Sequence, residues 1–100
     1  MAVKLIMTWD IAPGHEQEYF EFVVREFLPG VQRLGFELSD AWATAYGSRP
    51  QILVGAVLPN LSKAQQILRT TEWKSLHNQL QDFITNYTEK IVPAREGFQF

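Results

Sequence analysis

The amino-acid sequence predicts a single α+β domain, a four-stranded antiparallel sheet with helices packed on one of its faces. Two observations lead there. Short apolar segments of extended-chain character lie near residues 3–9, 36–46, 52–58 and 88–94, and stretches with apolar residues at helical spacing run between them. Gly- and Pro-containing punctuation separates the segments in the order β-α-β-β-α-α-β.

Val3 to Trp9 is an apolar strand closed by the turn residues Asp10-Ile11-Ala12-Pro13-Gly14. The first helix follows, with Phe20, Val23, Val24, Phe27, Leu28 and Val31 as its core-facing stripe. Phe22 sits about 200° from Phe20 at 100° per residue, on the polar side, where it is either an interface residue or a lone exposed aromatic. Pro29 removes a backbone donor and disfavours helical geometry in Leu28, so the helix should kink or restart there before Gly35 ends it.

Phe36 to Tyr46 alternates as a long strand, placing Phe36, Leu38, Asp40, Trp42, Thr44 and Tyr46 on one face. Gly47-Ser48-Arg49-Pro50 is turn chemistry, and Gln51 to Leu58 resumes the extended pattern, so these two strands form a hairpin. Asn60 or Ser62 caps a short helix carrying Leu61, Ala64, Ile67 and Leu68. Thr70 or Thr71 caps another, in which Trp73, Leu76, His77, Leu80, Phe83, Ile84 and Tyr87 recur at helical spacing. Thr88 to Ala94 is the last strand, Pro93 marks an edge or bulge, and a tail ending in Gly97-Phe98-Gln99-Phe100 follows. With the later helix counted as a broken pair, this is the split βαβ arrangement of ferredoxin-like folds. Right-handed crossovers then put the first and third strands at the centre.

Composition narrows the function classes. One hundred residues make one domain, spanning residues 1–100. A net charge of -2 and nine scattered Lys and Arg residues argue against a nucleic-acid partner. The absence of cysteine excludes disulfides, thiolate metal sites and a Cys nucleophile, and it fits a reducing compartment. No apolar run approaches the ~20 residues of a spanning helix, so no membrane partner is expected and the cytoplasm is the expected location. Phosphate-loop, dinucleotide, nucleophile-elbow and zinc-protease motifs are all missing.

The third strand is apolar on both faces, with Ile52, Val54, Ala56 and Leu58 against Leu53, Gly55 and Val57. Helices cover only one of those faces. The other calls for a second sheet, so the chain is expected to form a homodimer through it, closing an α+β barrel. Asp40, Trp42, Thr44 and Tyr46, polar groups among aromatics on one strand face, either bind a ligand or build that contact, and the contact is the favoured reading.

The first strand leading into Pro13-Gly14-His15-Glu16, the long aromatic first helix, the hairpin and Thr71-Glu72-Trp73 resemble the dimeric α+β barrel superfamily over nearly the whole chain. Within it the chain looks nearest to the NIPSNAP-like and antibiotic-biosynthesis-monooxygenase-like groups. The resemblance implies two ferredoxin-like protomers packed sheet to sheet, in a superfamily that ranges from cofactor-independent oxygenases to haem-degrading enzymes and proteins without known activity. The haem-degrading members pair a first-strand Asn with a Trp and a His from the helical region. Here the first strand offers Met7 and Thr8, and Trp73 and His77 are one turn apart, so that pattern is not matched and no cofactor is expected.

His77 is the sharpest candidate for chemistry, because an imidazole titrating near neutrality can shuttle a proton. The competing reading is a hydrogen-bonded core histidine. Trp73, one turn before it, can wall a pocket with it, although packing alone also explains a Trp there. Thr8 on the first strand and Tyr87 at the end of the helical stripe complete the candidate ligand-binding set with Trp73 and His77. His15 is read as a solvated first-turn residue, and no metal site is expected. Three functions fit: a module binding a small, mostly apolar or aromatic molecule in a helix-sheet cavity; a cofactor-independent monooxygenase or isomerase using His77 as acid or base; and a purely structural dimer.

Overall fold

The computed structural model describes residues 1–43 and 51–94. The elements are β1 (Val3–Ile11), α1 (Glu16–Phe22), a π-helical segment (Val23–Phe27), α2 (Leu28–Arg33), β2 (Glu37–Ala43), β3 (Ile52–Leu58), α3 (Leu61–Leu68), α4 (Thr71–Gln81) and β4 (Ile84–Pro93). The strands form one antiparallel sheet in the order β2-β3-β1-β4, with β1 and β3 at the centre as expected. Thr44, Tyr46, the turn at 47–50 and the tail from residue 95 lie outside the described residues.

The first helix corrects the stripe read from its spacing. Phe20 and Val24 are exposed, whereas Tyr19, Phe22, Val23, Phe27 and Val31 are buried. The cause is the π segment, in which the Leu28 amide donates to the Val23 carbonyl five residues back rather than four. One residue is thereby added to the turn, and the apolar face upstream is rotated relative to a 3.6-residue period. Phe22 is a core residue, its ring 5.5 Å from Phe83, and not an interface residue. Nor does the helix break at Pro29, since Phe27 and Leu28 keep right-handed helical angles. A proline ring would collide with the carbonyl four residues back in a regular α-helix, and the widened turn lies where that collision would fall.

Gly35, at φ +111°, ends α2 with the Phe36 amide on the Val31 carbonyl and its own amide on that of Gln32. This double closure requires a left-handed residue that only Gly adopts cheaply. Asn60 caps α3 by accepting from the Lys63 amide at 2.8 Å, and Thr70 caps α4 by accepting from the Trp73 amide at 3.2 Å. The helix ends at Gln81, so Ile84 and Tyr87 belong to β4, which begins four residues earlier than its β-branched run implied. The apolar spacing of 80, 83, 84 and 87 suits a helix, but a strand starting at Ile84 buries Ile84 and turns Tyr87 to the same helix-covered face.

Val3, Leu5, Met7 and Trp9 of β1 and Val54, Ala56 and Leu58 of β3 form the sheet side of the core. Trp9 is fully buried and donates its Nε1–H to the Tyr19 hydroxyl at 2.9 Å. The other sheet face carries Lys4, Ile6, Thr8 and Asp10. Lys4 Nζ reaches Asp40 Oδ2 at 2.8 Å across Gly55, where a Cβ would stand 2.9 Å from that oxygen. A bulge at Ser39 shifts the β2 register, pairing Leu38 with Ala56 and Asp40 with Gly55, so Leu38 and Asp40 do not share the face that simple alternation assigned them. Asp10, only 2% exposed, holds three strands. Its Oδ1 accepts from the Gln51 amide and its Oδ2 from Asn86 Nδ2, each at 2.9 Å, while Gln51 Oε1 accepts from the Ile11 amide. Asn86 sits at φ +57° in the β4 bulge beside Trp9.

Tyr19→Phe should cost about 1–3 kcal/mol in chemical denaturation, because it leaves the buried Trp9 N–H without its acceptor. The Lys4 ammonium, opposed by partial burial and helped by Ser39, holds the Asp40 carboxyl below its ordinary value. The resulting stabilisation is complete above the ordinary carboxylate value and is lost as pH falls through the depressed one. Melting temperatures measured from about pH 6 down to pH 2 should therefore fall more steeply for wild type than for Asp40→Asn.

Candidate functional site

Helix α4 has two flanks, and each carries a different kind of surface. On the flank toward β4, Thr70 fixes the helix start and the 3.6-residue period aligns Trp73, His77 and Leu80 over the sheet. Trp73 is 5% exposed and packs against Phe27 at 6.3 Å and Phe36 at 5.8 Å. His77 is half-buried, its ring 5.9 Å from Trp73 and edge-on to Tyr87 at 4.7 Å. Its Nε2 lies 3.3 Å from Gln81 Nε2, so the imidazole is partnered within its own helix.

Tyr87 stacks on Trp9, with ring centroids 6.1 Å apart and planes 14° from parallel, and donates its hydroxyl to Glu89 Oε1 at 2.9 Å. Burial first, then the Glu89 charge and hydrogen bond, push this phenol far above its ordinary value. Tyr19 is also raised by burial, against the opposing hydrogen bond from Trp9. Three of the four sequence-derived ligand candidates, Trp73, His77 and Tyr87, thus meet at one place. Thr8 does not join them. It faces the opposite side of the sheet, where its hydroxyl pairs with that of Thr88. His15 is exposed at the start of α1, 3.5 Å from Glu18.

On this flank aromatic rings pack against one another between helix and sheet. A cleft lies on the other flank of α4, against α2. It measures about 490 Å³ and is lined by Gly30, Arg33, Leu34, Thr71, Glu72, Ser75 and Leu76. Gly30 sets the approach of the two helices, since a Cβ there would fall 2.6 Å from Leu76 Cδ1. The floor is apolar, and the exposed rim offers one cation, one carboxylate and two hydroxyls. Sequence reasoning named Thr71 and Glu72 only as helix-opening residues, and it missed Arg33 and Ser75 because their meeting depends on how α2 and α4 pack. Glu89 was missed because Tyr87 was assigned to a helix. On a strand, residues two apart share a face.

No family model matches the chain, and comparison with curated proteins finds no match. Solved structures do resemble it. An uncharacterised NIPSNAP-like domain protein from Burkholderia xenovorans superposes with a TM-score of 0.73 at 16% identity, covering 98% of this chain and 89% of that one. This chain has the fold of the NIPSNAP-like proteins. An EthD family protein from Bacillus halodurans gives a TM-score of 0.70 at 22% identity, covering 95% of this chain and 100% of that one. A protein of unknown function from Bacteroides fragilis, described as dimeric and ferredoxin-like, gives 0.65 at 12% identity, with 93% and 96% coverage. The NIPSNAP-like fold is therefore shared while the side chains are largely not.

Because its folded value is raised, the neutral Tyr87 phenol contributes fully below about pH 10, the ordinary phenol range, and that contribution is lost above it. Spectrophotometric titrations of wild type and Tyr87→Phe should overlap through pH 10 while both remain folded. A tyrosinate signal missing from the variant at that pH would show that Tyr87 ionises as an ordinary phenol.

Proposed function

We propose that this protein is a cytoplasmic homodimer whose protomers each hold a small, mostly apolar or aromatic molecule, with the cleft between α2 and α4 as the place it binds. The cleft carries the reading. Its volume falls within the few hundred to ~1,000 Å³ of small-molecule sites, and an apolar floor with a few polar groups at the rim is the composition such sites have. The binding place therefore moves one flank of α4 away from the helix-sheet space expected from the sequence, because packed rings occupy that space.

The dimer is supported by the helix-free face of the sheet, where partly exposed Leu53 and Val57 flank Ile6 and Val92 lies on the neighbouring edge strand. The dimeric Bacteroides neighbour has the same fold. Among the described residues no helix is long and apolar enough to cross a membrane. A second reading, a cofactor-independent oxygenase or isomerase, is favoured by one observation: the half-buried His77 imidazole held between Trp73 and Tyr87, where it can serve as acid or base.

Native mass spectrometry should return a dimer mass, and a monomer would overturn the sheet-to-sheet arrangement. Anilinonaphthalene sulfonate should bind wild type at least about tenfold more tightly than Ser75→Trp, in which an indole fills the cleft from an exposed position. Equal binding would remove the cleft from the proposal. His77→Ala should leave the dimer and dye binding unchanged; loss of a turnover seen in wild type would instead establish the enzyme reading.

A further inference from the structure

Five rings touch in series, Tyr19, Trp9, Tyr87, His77 and Trp73, and Tyr87 is the one carried on the edge strand β4. Two phenols touch the fully buried Trp9, and they differ in what they can do with a proton. Tyr19 is 2% exposed, and its oxygen accepts the Trp9 N–H and has no carboxylate bonded to it among the described residues. Tyr87 stacks on the same indole, is half-buried, and donates its hydroxyl to the carboxylate of exposed Glu89.

We propose that Tyr87 and Glu89 form a proton-coupled outlet for oxidising equivalents that reach Trp9. A phenol that loses an electron becomes strongly acidic and is stable only once its proton has gone to a base. An indole radical cation can keep its N–H for longer. The initiating oxidant is a one-electron oxidant of the organic peroxyl class, ROO•, which takes an electron from Trp9 and is reduced to the organic peroxide anion ROO−. An electron then passes from the Tyr87 ring to the Trp9 radical cation, the phenol O–H bond breaks, and its proton joins Glu89 Oε1 across the 2.9 Å hydrogen bond. Trp9 returns to neutral indole, Tyr87 ends as a neutral phenoxyl radical, and Glu89 ends as a carboxylic acid. Burial and then the Glu89 charge raise the phenol above its ordinary value and disfavour prior loss of its proton, so electron loss at Tyr87 is coupled to this transfer. The hole thus moves from a sealed core position to the half-exposed edge of the sheet, where external reductants have access. Tyr19 touches the same indole but has no such base among the described residues.

Laser-flash photoionisation of the indoles, followed by transient absorption, tests the assignment on the intact protein. In wild type, tryptophan radical should convert to tyrosyl radical with first-order kinetics independent of protein concentration. Tyr87→Phe should abolish that conversion and Tyr19→Phe should retain it. Glu89→Gln keeps an acceptor oxygen but removes the base, and should slow the conversion several-fold. A tyrosyl signal appearing at the wild-type rate in Tyr87→Phe, or an unchanged rate in Glu89→Gln, would overturn the proposal. If Tyr87→Phe does not fold, the surface variant Glu89→Gln decides alone.

Discussion

The indole of Trp9 is the contact on which the rest of the arrangement depends. It projects from the central strand β1, donates to Tyr19 of α1, meets Phe27 of the π segment edge-on at 5.9 Å and stacks on Tyr87 of β4. The first helix and the edge strand β4 are thus both referenced to one rigid ring of β1. Large aromatic groups suit this role because they bury much area at little rotamer cost and still carry a polar handle that fixes orientation. The neighbouring residue does the complementary task on the opposite face, where the Asp10 carboxylate ties the start of β3 and the bulge of β4 to the end of β1. Successive residues of a strand point to opposite sides, so one dipeptide secures both the core and the joint of β1 with its neighbours β3 and β4.

Much of this architecture is legible in the sequence because it rests on patterns that act locally. The succession of elements follows from punctuation by Pro13, Gly14, Gly35 and Pro59, the central place of β1 and β3 from right-handed crossovers, and the helix starts at Asn60 and Thr70 from side chains that satisfy backbone donors. The errors arose where two local rules competed. At residues 80–87 the same apolar spacing served a helix end and a strand start, and tertiary burial of Ile84 and Tyr87 decided between them. In the first helix, a period-3.6 reading could not register a turn closed by a longer hydrogen bond, so Phe22 and Phe20 exchanged places.

The site was legible only in part, for a related reason. Trp73 and His77 are neighbours within one helix, and their proximity is a property of that helix. The cleft is a property of the distance between two helices, which a single missing side chain at Gly30 permits, and no spacing rule reports it. Thr8 sits on the right strand but on the wrong face. In a sheet that distinction is one residue of register, and it separates the helix-covered side from the open one.

The π segment has a consequence for how this chain compares with others of its fold. A turn of this kind is what a helix becomes when it accommodates one additional residue while both flanks keep their partners. Between Phe22 and Leu28 the polypeptide is one residue longer than the cylinder it wraps, yet Tyr19 before it and Val31 after it are both buried. A length change can therefore enter the middle of a helix without passing into the hydrophobic layer beneath. Superpositions onto its structural neighbours should carry a one-residue step there, wherever the neighbour's helix winds regularly, even though the backbones on either side coincide.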